Sequence, residues 1–173
     1  SDWGNVTGGH KQGKNVIAVA NLTSTSLLAT SSSRGPAADG RIKPDICAKG
    51  SSVYSTLENH SYGYKTGTSM SCPAISGVMA QLYQAYKELN GGVNPKSSLM
   101  KAILLNSADD LGNPGPDFKY GWGEVNAFQA IKILENNQYL NSSISQGGNN
   151  NHNISVPLGT KQLNIMVYWH DVQ

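Results

Sequence analysis

The seven residues from Gly67 to Pro73, GTSMSCP, constrain this chain more than any other segment, because they join a tight turn to an apolar helix. Gly67 allows the turn, Ser69 lies at the bend, and Pro73 is tolerated in the first turn of the helix that follows. A serine at a helix N-terminus exposes its hydroxyl next to backbone N–H groups that can stabilise a developing oxyanion. The segment therefore predicts a nucleophilic serine, with an ordinary N-cap serine as the alternative interpretation.

Three segments have the period of amphipathic helices. They cover about residues 71–89, 94–107 and 127–134. Asn94 and Pro95 are the expected cap and first residue of the second helix, and Asn126 is the expected cap of the third. Strands are predicted at Asn15–Ala20, 52–57 and 62–66, where β-forming residues lie between Gly and Asn.

The pattern changes near Glu135. Two alternating runs, residues 139–145 and 162–169, lie on either side of a Gly/Asn-rich connector, and they indicate strands and turns rather than helix. We therefore divide the chain into residues 1–135 and residues 136–173.

The segment Gly67–Gly77, GTSMSCPAISG, closely resembles the nucleophile signature of the subtilases, the subtilisin-like serine peptidases. Three further blocks are similar to the family and stand in the same order along the chain. They are a core strand at Asn15–Ala20, the SSRGP…KPDI block at 31–36 and 42–46, and the block YGWGEVNA at 120–127.

This resemblance implies the fold class and the domain organisation. Residues 1–135 should be the C-terminal half of a subtilisin-like α/β catalytic domain, with part of its mostly parallel sheet covered by helices. Residues 136–173 resemble the start of the all-β sandwich that many bacterial subtilases append, with Trp169 and Asp171 forming its Trp-x-Asp step.

The resemblance also assigns the site. Ser69 is the expected acyl-enzyme nucleophile, and Thr66 and Gly67 are expected to line the substrate cleft. Subtilases place the catalytic Asp and His before the serine, yet residues 1–68 contain neither an aspartate block, nor His-Gly-Thr, nor the oxyanion-hole asparagine. The triad Asp and His should therefore lie outside this chain, which alone should be inactive. The same order disfavours His170 and Asp171 as a local catalytic pair.

Cys72 and Ala74 follow the predicted nucleophile closely in the chain. Many subtilases carry His where Ala74 stands, so one structural hydrogen bond of the family should be missing while the nucleophile is unaffected. Cys47 and Cys72 are too few for a disulfide framework, and no His/Cys spacing indicates a metal site. We interpret Cys72 as a small buried thiol that points into the helix–sheet packing.

No cofactor is expected for the chemistry. The resemblance allows a structural calcium ion, held mostly by missing upstream residues, with one weak site at the backbone carbonyls around Lys11–Val16. The expected partners are protein or peptide substrates and the missing N-terminal half of the same catalytic domain. A net charge of +2 and the lack of a long apolar run argue against nucleic acid and membrane, and the 14% content of charged residues favours an extracellular protein.

Two other function classes remain open. The chain could be a catalytically inactive binding module with the subtilase fold, or part of a sedolisin-type serine-carboxyl peptidase, which shares the fold and a Gly-Thr-Ser nucleophile. Ser71-Cys72-Pro73 and the SSRGP block favour the subtilases over the sedolisins.

Overall fold

A computed structural model of the chain describes residues 3–6 and 8–170. Strands precede the three α-helices, which confirms the predicted α/β class. The elements in chain order are a short 3-10 helix at His10–Gln12, β1 (Val19–Leu22), β2 (Ile46–Lys49), β3 (Val53–Leu57), β4 (Ser61–Lys65), α1 (Thr68–Leu89), α2 (Ser97–Asn106) and α3 (Ala127–Glu135).

The parallel pair β1–β2 forms the centre of the fold. Val19 lies opposite Ile46, and the register continues to Leu22 opposite Lys49. Most side chains of the pair are buried, which is typical of parallel strands covered on both faces. The sequence analysis began the first strand four residues too early and did not predict β2 as a strand.

Helix α1 packs on this pair and on the other two helices. Its buried residues are Ser71, Ile75, Leu82 and Tyr86. Leu99, Met100, Ile103 and Leu104 of α2 and Ala130 and Leu134 of α3 complete the main hydrophobic core. The opposite side of α1 is exposed, and we call its small residues Pro73, Ala74, Gly77 and Ala80 the open face of α1.

Strands β3 and β4 form an antiparallel hairpin, with Val53 opposite Lys65 and Leu57 opposite Ser61. The prediction that these segments belong to a parallel sheet was wrong. Only residues 58–60 connect them, and a parallel pair needs a crossover of a dozen or more residues. Asn59 and His60 have φ values of 57° and 55°, so they form the tight turn that an antiparallel pair requires.

The predicted caps of α2 and α3 differ in outcome. Asn126 caps α3 as predicted, since its side-chain oxygen accepts a hydrogen bond from the Gln129 N–H at 3.0 Å. Helix α2 begins at Ser97 rather than at Pro95, because Lys96 is extended, with φ −70° and ψ 137°. Asn94 therefore does not cap that helix.

The segment from residue 139 to residue 170 contains no strand. The prediction of strands at 139–145 and 162–169 was wrong for this chain. An alternating sequence forms a strand only when a neighbouring strand pairs with its backbone groups, and the described residues provide none here. The division at residue 135 stays a prediction. Among the described residues, no helix has the length and apolar character that crossing a bilayer demands.

Candidate active site

Ser69 is the second residue of α1, and its side chain is exposed. Gly67 is the residue just outside the helix, and its φ of 155° lies in the region that favours glycine. The helix begins three residues earlier than predicted, so Pro73 is its sixth residue and the prediction of Pro73 in the first turn was wrong. Pro73 has no N–H to donate to the carbonyl of Ser69, yet the helix continues to Leu89.

The first backbone N–H groups of α1 belong to Ser69 and to the residues on either side of it in the chain. The N–H groups of Met70 and Ser71 both donate to the Gly67 carbonyl, at 2.9 and 3.4 Å. Those of Thr68 and Ser69 come earlier in the helix and have no acceptor among the described residues. They are therefore free donors at the positive end of the helix dipole, the arrangement that stabilises an oxyanion.

The turn ahead of Ser69 is anchored to the end of β1 through Gly50. Gly67 N–H donates to the Gly50 carbonyl at 2.9 Å, and Gly50 N–H donates to the Leu22 carbonyl at 3.1 Å. A β-carbon on Gly50 would overlap Ser71 Oγ and would lie 2.6 Å from the Gly67 oxygen. Only glycine fits between the sheet and the nucleophile turn at this position.

Asn21 and Ser71 lie under the same turn, and both are 0% exposed. Ser71 Oγ donates to Asn21 Oδ1 at 3.4 Å, and Ser51 Oγ contacts the same oxygen at 3.3 Å. Asn21 Nδ2 is buried without a partner in the described part of the chain. The sequence analysis identified neither Gly50 nor Asn21 as part of the site.

The prediction that Cys72 is buried was wrong: Cys72 is exposed, and Ser71 points into the packing instead. Ser71 lies four residues before the buried Ile75 and so shares its inner face, whereas Cys72 is rotated from Ser71 by roughly 100° about the helix axis. Cys47 is the buried thiol, with its Sγ 3.1 Å from the Tyr120 carbonyl oxygen. Burial raises the pKa of the Cys47 thiol, which makes it unreactive.

The structure brings the three predicted site residues into one turn. Thr66 follows β4, and its Oγ1 accepts a hydrogen bond from the Ser52 N–H at 2.8 Å. Gly67 and Ser69 come next in the chain. The substrate-binding roles of Thr66 and Gly67 stay predictions. A depression of about 520 Å³ lies at the tip of the β3–β4 hairpin, and Ser69 is not part of its lining.

The four histidines belong to parts of the structure other than α1. His10 is in the 3-10 helix, His60 in the hairpin turn and His152 in the segment after α3. His170 contacts Ser97 Oγ at 3.1 Å, at the start of α2. None of the four contacts Ser69 within the described ranges, and Asp171 lies outside the described residues. No group of three or more His, Cys, Asp or Glu side chains that could hold a metal occurs in the same ranges.

Comparison with protein families gives one assignment for most of the chain. The model of the Subtilase family, Peptidase S8, matches residues 4–123. The chain is 40% identical to the C5a peptidase of Streptococcus pyogenes over 86 residues, which are 49% of the chain. It is 38% identical to pyrolysin of Pyrococcus furiosus over 116 residues, 62% of the chain. It is also 38% identical to the minor extracellular protease Vpr of Bacillus subtilis over 118 residues, 61% of the chain.

Solved structures agree with that assignment. The CspB protease of Clostridium perfringens superposes with a TM-score of 0.65 at 29% identity, over 71% of this chain and 27% of that one. A lanthipeptide protease superposes with a TM-score of 0.60 at 26% identity, over 70% of this chain and 42% of that one. The matched regions span only 7%, 8% and 14% of the C5a peptidase, pyrolysin and Vpr sequences.

Proposed function

The chain belongs to the subtilase family, and from that premise we propose that it is the nucleophile-bearing half of a serine endopeptidase that hydrolyses peptide bonds through an acyl-enzyme on Ser69. The observation that carries the proposal is the position of Ser69. Its exposed side chain lies at the N-terminus of α1 beside the unpaired N–H groups of Thr68 and Ser69. A nucleophile and oxyanion donors on one helix end are what acyl transfer requires.

The proposed reaction has two halves. Ser69 Oγ attacks the carbonyl carbon of the scissile peptide bond, and a histidine outside this chain takes the hydroxyl proton. The carbonyl oxygen becomes an oxyanion that the N–H of Ser69 stabilises. The C–N bond then breaks as the same histidine protonates the leaving amine, and water hydrolyses the acyl-enzyme to release the acid and regenerate Ser69. No cofactor takes part.

We further propose that the missing N-terminal half of the catalytic domain supplies the histidine, its aspartate partner and the oxyanion-hole asparagine, so that this chain alone is inactive. The open face of α1 supports this proposal, because its four small, exposed residues leave room for another part of a fold to pack closely. Thr66 and Gly67, directly ahead of Ser69, are proposed to line the substrate cleft.

The proposed substrates are proteins or peptides, and the proposed location is extracellular. Support for the location comes from relatives such as Vpr, which is named an extracellular protease. Neither nucleic acid nor a membrane surface is a proposed partner, in keeping with the net charge of +2.

Covalent labelling tests the nucleophile. The full-length protein is expected to react with an organophosphonate at Ser69. Mass spectrometry should then detect the adduct on the peptide that covers residues 67–87. Labelling at a different serine in an active preparation would contradict the assignment. An intact protein that neither hydrolyses casein nor takes up the label would instead be the inactive binding module.

The contact of α1 with the missing half can be tested through Cys72. Its thiol is exposed on α1 next to Pro73, the first residue of the open face. If the N-terminal half covers that face, Cys72 of the native full-length protein should react with a maleimide at least about tenfold more slowly than in denaturant, because buried thiols are inert. Cys47, buried within this chain, is the control that should be protected in any case. Rapid labelling of native Cys72 would contradict the proposed contact.

A further inference from the structure

A cluster of buried charges lies beside the loop that leads into β1, residues 13–18. It consists of Lys43, Asp45 and Lys101, which are 1%, 4% and 4% exposed. Lys43 and Asp45 stand on either side of Pro44, just ahead of β2, and Lys101 is on α2. Charged side chains at this depth are rare, and each needs partners that replace water.

The two ammonium groups find those partners in the loop. Lys101 Nζ donates to the carbonyl oxygens of Lys14 at 3.2 Å and Val16 at 3.0 Å, and it pairs with Asp45 Oδ1 at 3.1 Å. All three protons of an ammonium group are thereby used. Lys43 Nζ donates to the same Val16 carbonyl at 3.0 Å and to Asp45 Oδ2 at 2.5 Å.

Asp45 and Tyr168 make further contacts that connect the cluster to the rest of the fold. Asp45 Oδ2 also accepts a hydrogen bond from the Ala18 N–H at 2.7 Å, which joins the cluster to the strand that follows the loop. The Tyr168 ring lies over Lys101, with Nζ 5.1 Å from its centroid, and its hydroxyl contacts the Lys14 carbonyl at 3.3 Å. The residues that form and surround the cluster thus come from the sheet, from α2 and from the segment after α3.

These carbonyls belong to the stretch Lys11–Val16, where the family resemblance places a weak calcium site. The residues present do not fit calcium. Calcium takes about six to eight oxygen ligands at roughly 2.3–2.6 Å, whereas the Lys14 and Val16 oxygens are already occupied by ammonium protons. The three side chains carry a net charge of +1, so a divalent ion at those oxygens would face two positive charges against one carboxylate.

We propose that Lys43 and Lys101 are an internal substitute for the metal: their ammonium groups bind the loop carbonyls that a cation would otherwise bind, so the loop is held without calcium. Burial is the main cause that lowers the pKa of Lys43, and Asp45 opposes that shift. Replacement of both ammonium groups removes the donors to the Lys14 and Val16 carbonyls. It should loosen the loop and expose those oxygens and the Asp45 carboxylate to added cations.

Hydrogen exchange of the full-length protein, followed by mass spectrometry of peptides covering residues 10–22, tests this proposal. In the wild-type protein the exchange rate of these peptides should be the same with calcium in excess and with EDTA. Peptides from α3 serve as the internal reference, so calcium sites elsewhere in the protein do not affect the comparison. Slower exchange with calcium in residues 10–22, beyond any change in α3, would overturn the proposal without the use of any variant.

Variants test the lysines directly. Lys101→Met and Lys43→Met should each speed exchange in residues 10–22 by about tenfold or more, because a hydrogen-bonded buried charge is lost. Lys96→Met, at an exposed lysine just ahead of α2, should leave the exchange unchanged. In the double variant, added calcium should slow the exchange again. The proposal would be overturned if Lys101→Met left the exchange unchanged. It would also be overturned if added calcium did not slow the exchange of residues 10–22 in the double variant.

Discussion

Replacing Ser69 by alanine in the full-length protein should lower kcat/KM for a peptide substrate by about 10⁴-fold or more, because the acyl-enzyme can no longer form. The fold should not change. The Ser69 side chain is exposed, its Oγ has no hydrogen-bond partner among the described residues, and alanine is the best helix former. The measurements are steady-state kinetics, phosphonate uptake and the thermal midpoint of the same preparation.

Ser76→Ala is the matched control for this variant. Ser76 is an exposed serine on the same helix, two turns further on, and its Oγ donates a hydrogen bond to the Cys72 carbonyl at 3.1 Å. It should keep the wild-type kcat/KM and the wild-type rate of phosphonate labelling. A Ser69→Ala protein that still hydrolyses peptides, or a Ser76→Ala protein that does not, would show that the nucleophile is another residue.

Several local features of this fold could be predicted from the sequence, although the cap of α2 and the start of α1 could not. The turn with Gly67 and Ser69, the existence of three helices and the Asn126 cap all depend on residues close together in the chain. Asn126 illustrates the reason: its oxygen reaches a backbone N–H only three residues away, at Gln129. Such a contact can be predicted from residue type and spacing when the helix begins where expected, as it does at Asn126 and does not after Asn94.

Features set by distant parts of the chain could not be predicted. Asn21 lies 50 positions from Ser71, and Lys101 reaches carbonyls 85 and 87 positions away. Nothing in local spacing indicates such neighbours. The error at Cys72 has a related cause, since Ser71 and Cys72 are neighbours on the helix and the packing of the whole helix on the sheet determines which of the two is buried.

The mispredicted strands show the same limit. Residues 53–65 have the composition of strands in any sheet, and only the three-residue connection determines that they pair antiparallel. Residues 139–145 and 162–169 alternate as strands do, but a strand also needs a partner, and sequence alternation does not provide one.

Gly50→Ala should lower kcat by about 100-fold even though residue 50 is not proposed to touch substrate, because displacing a catalytic group by about 1 Å has that effect. The added methyl group would overlap Ser71 Oγ and would lie 2.6 Å from the Gly67 oxygen and 2.8 Å from Asn21 Oδ1. Gly67 must then move, and Ser69 follows two residues later. Overpacking should also destabilise the protein by about 1–3 kcal/mol.

The double variant Gly50→Ala/Ser71→Ala separates the effect on the nucleophile from general damage. It removes the oxygen that the new methyl group would overlap, so part of the lost kcat should return, while the contacts with Gly67 and Asn21 keep the recovery incomplete. The test is kcat per active site, measured by titration with a phosphonate, together with the thermal midpoint. A Gly50→Ala protein with a lowered midpoint but wild-type kcat per active site would mean that the sheet and the nucleophile turn are not rigidly connected. A loss of kcat that Ser71→Ala partly restores would instead establish that the close fit at Gly50 holds Ser69 in its reactive position.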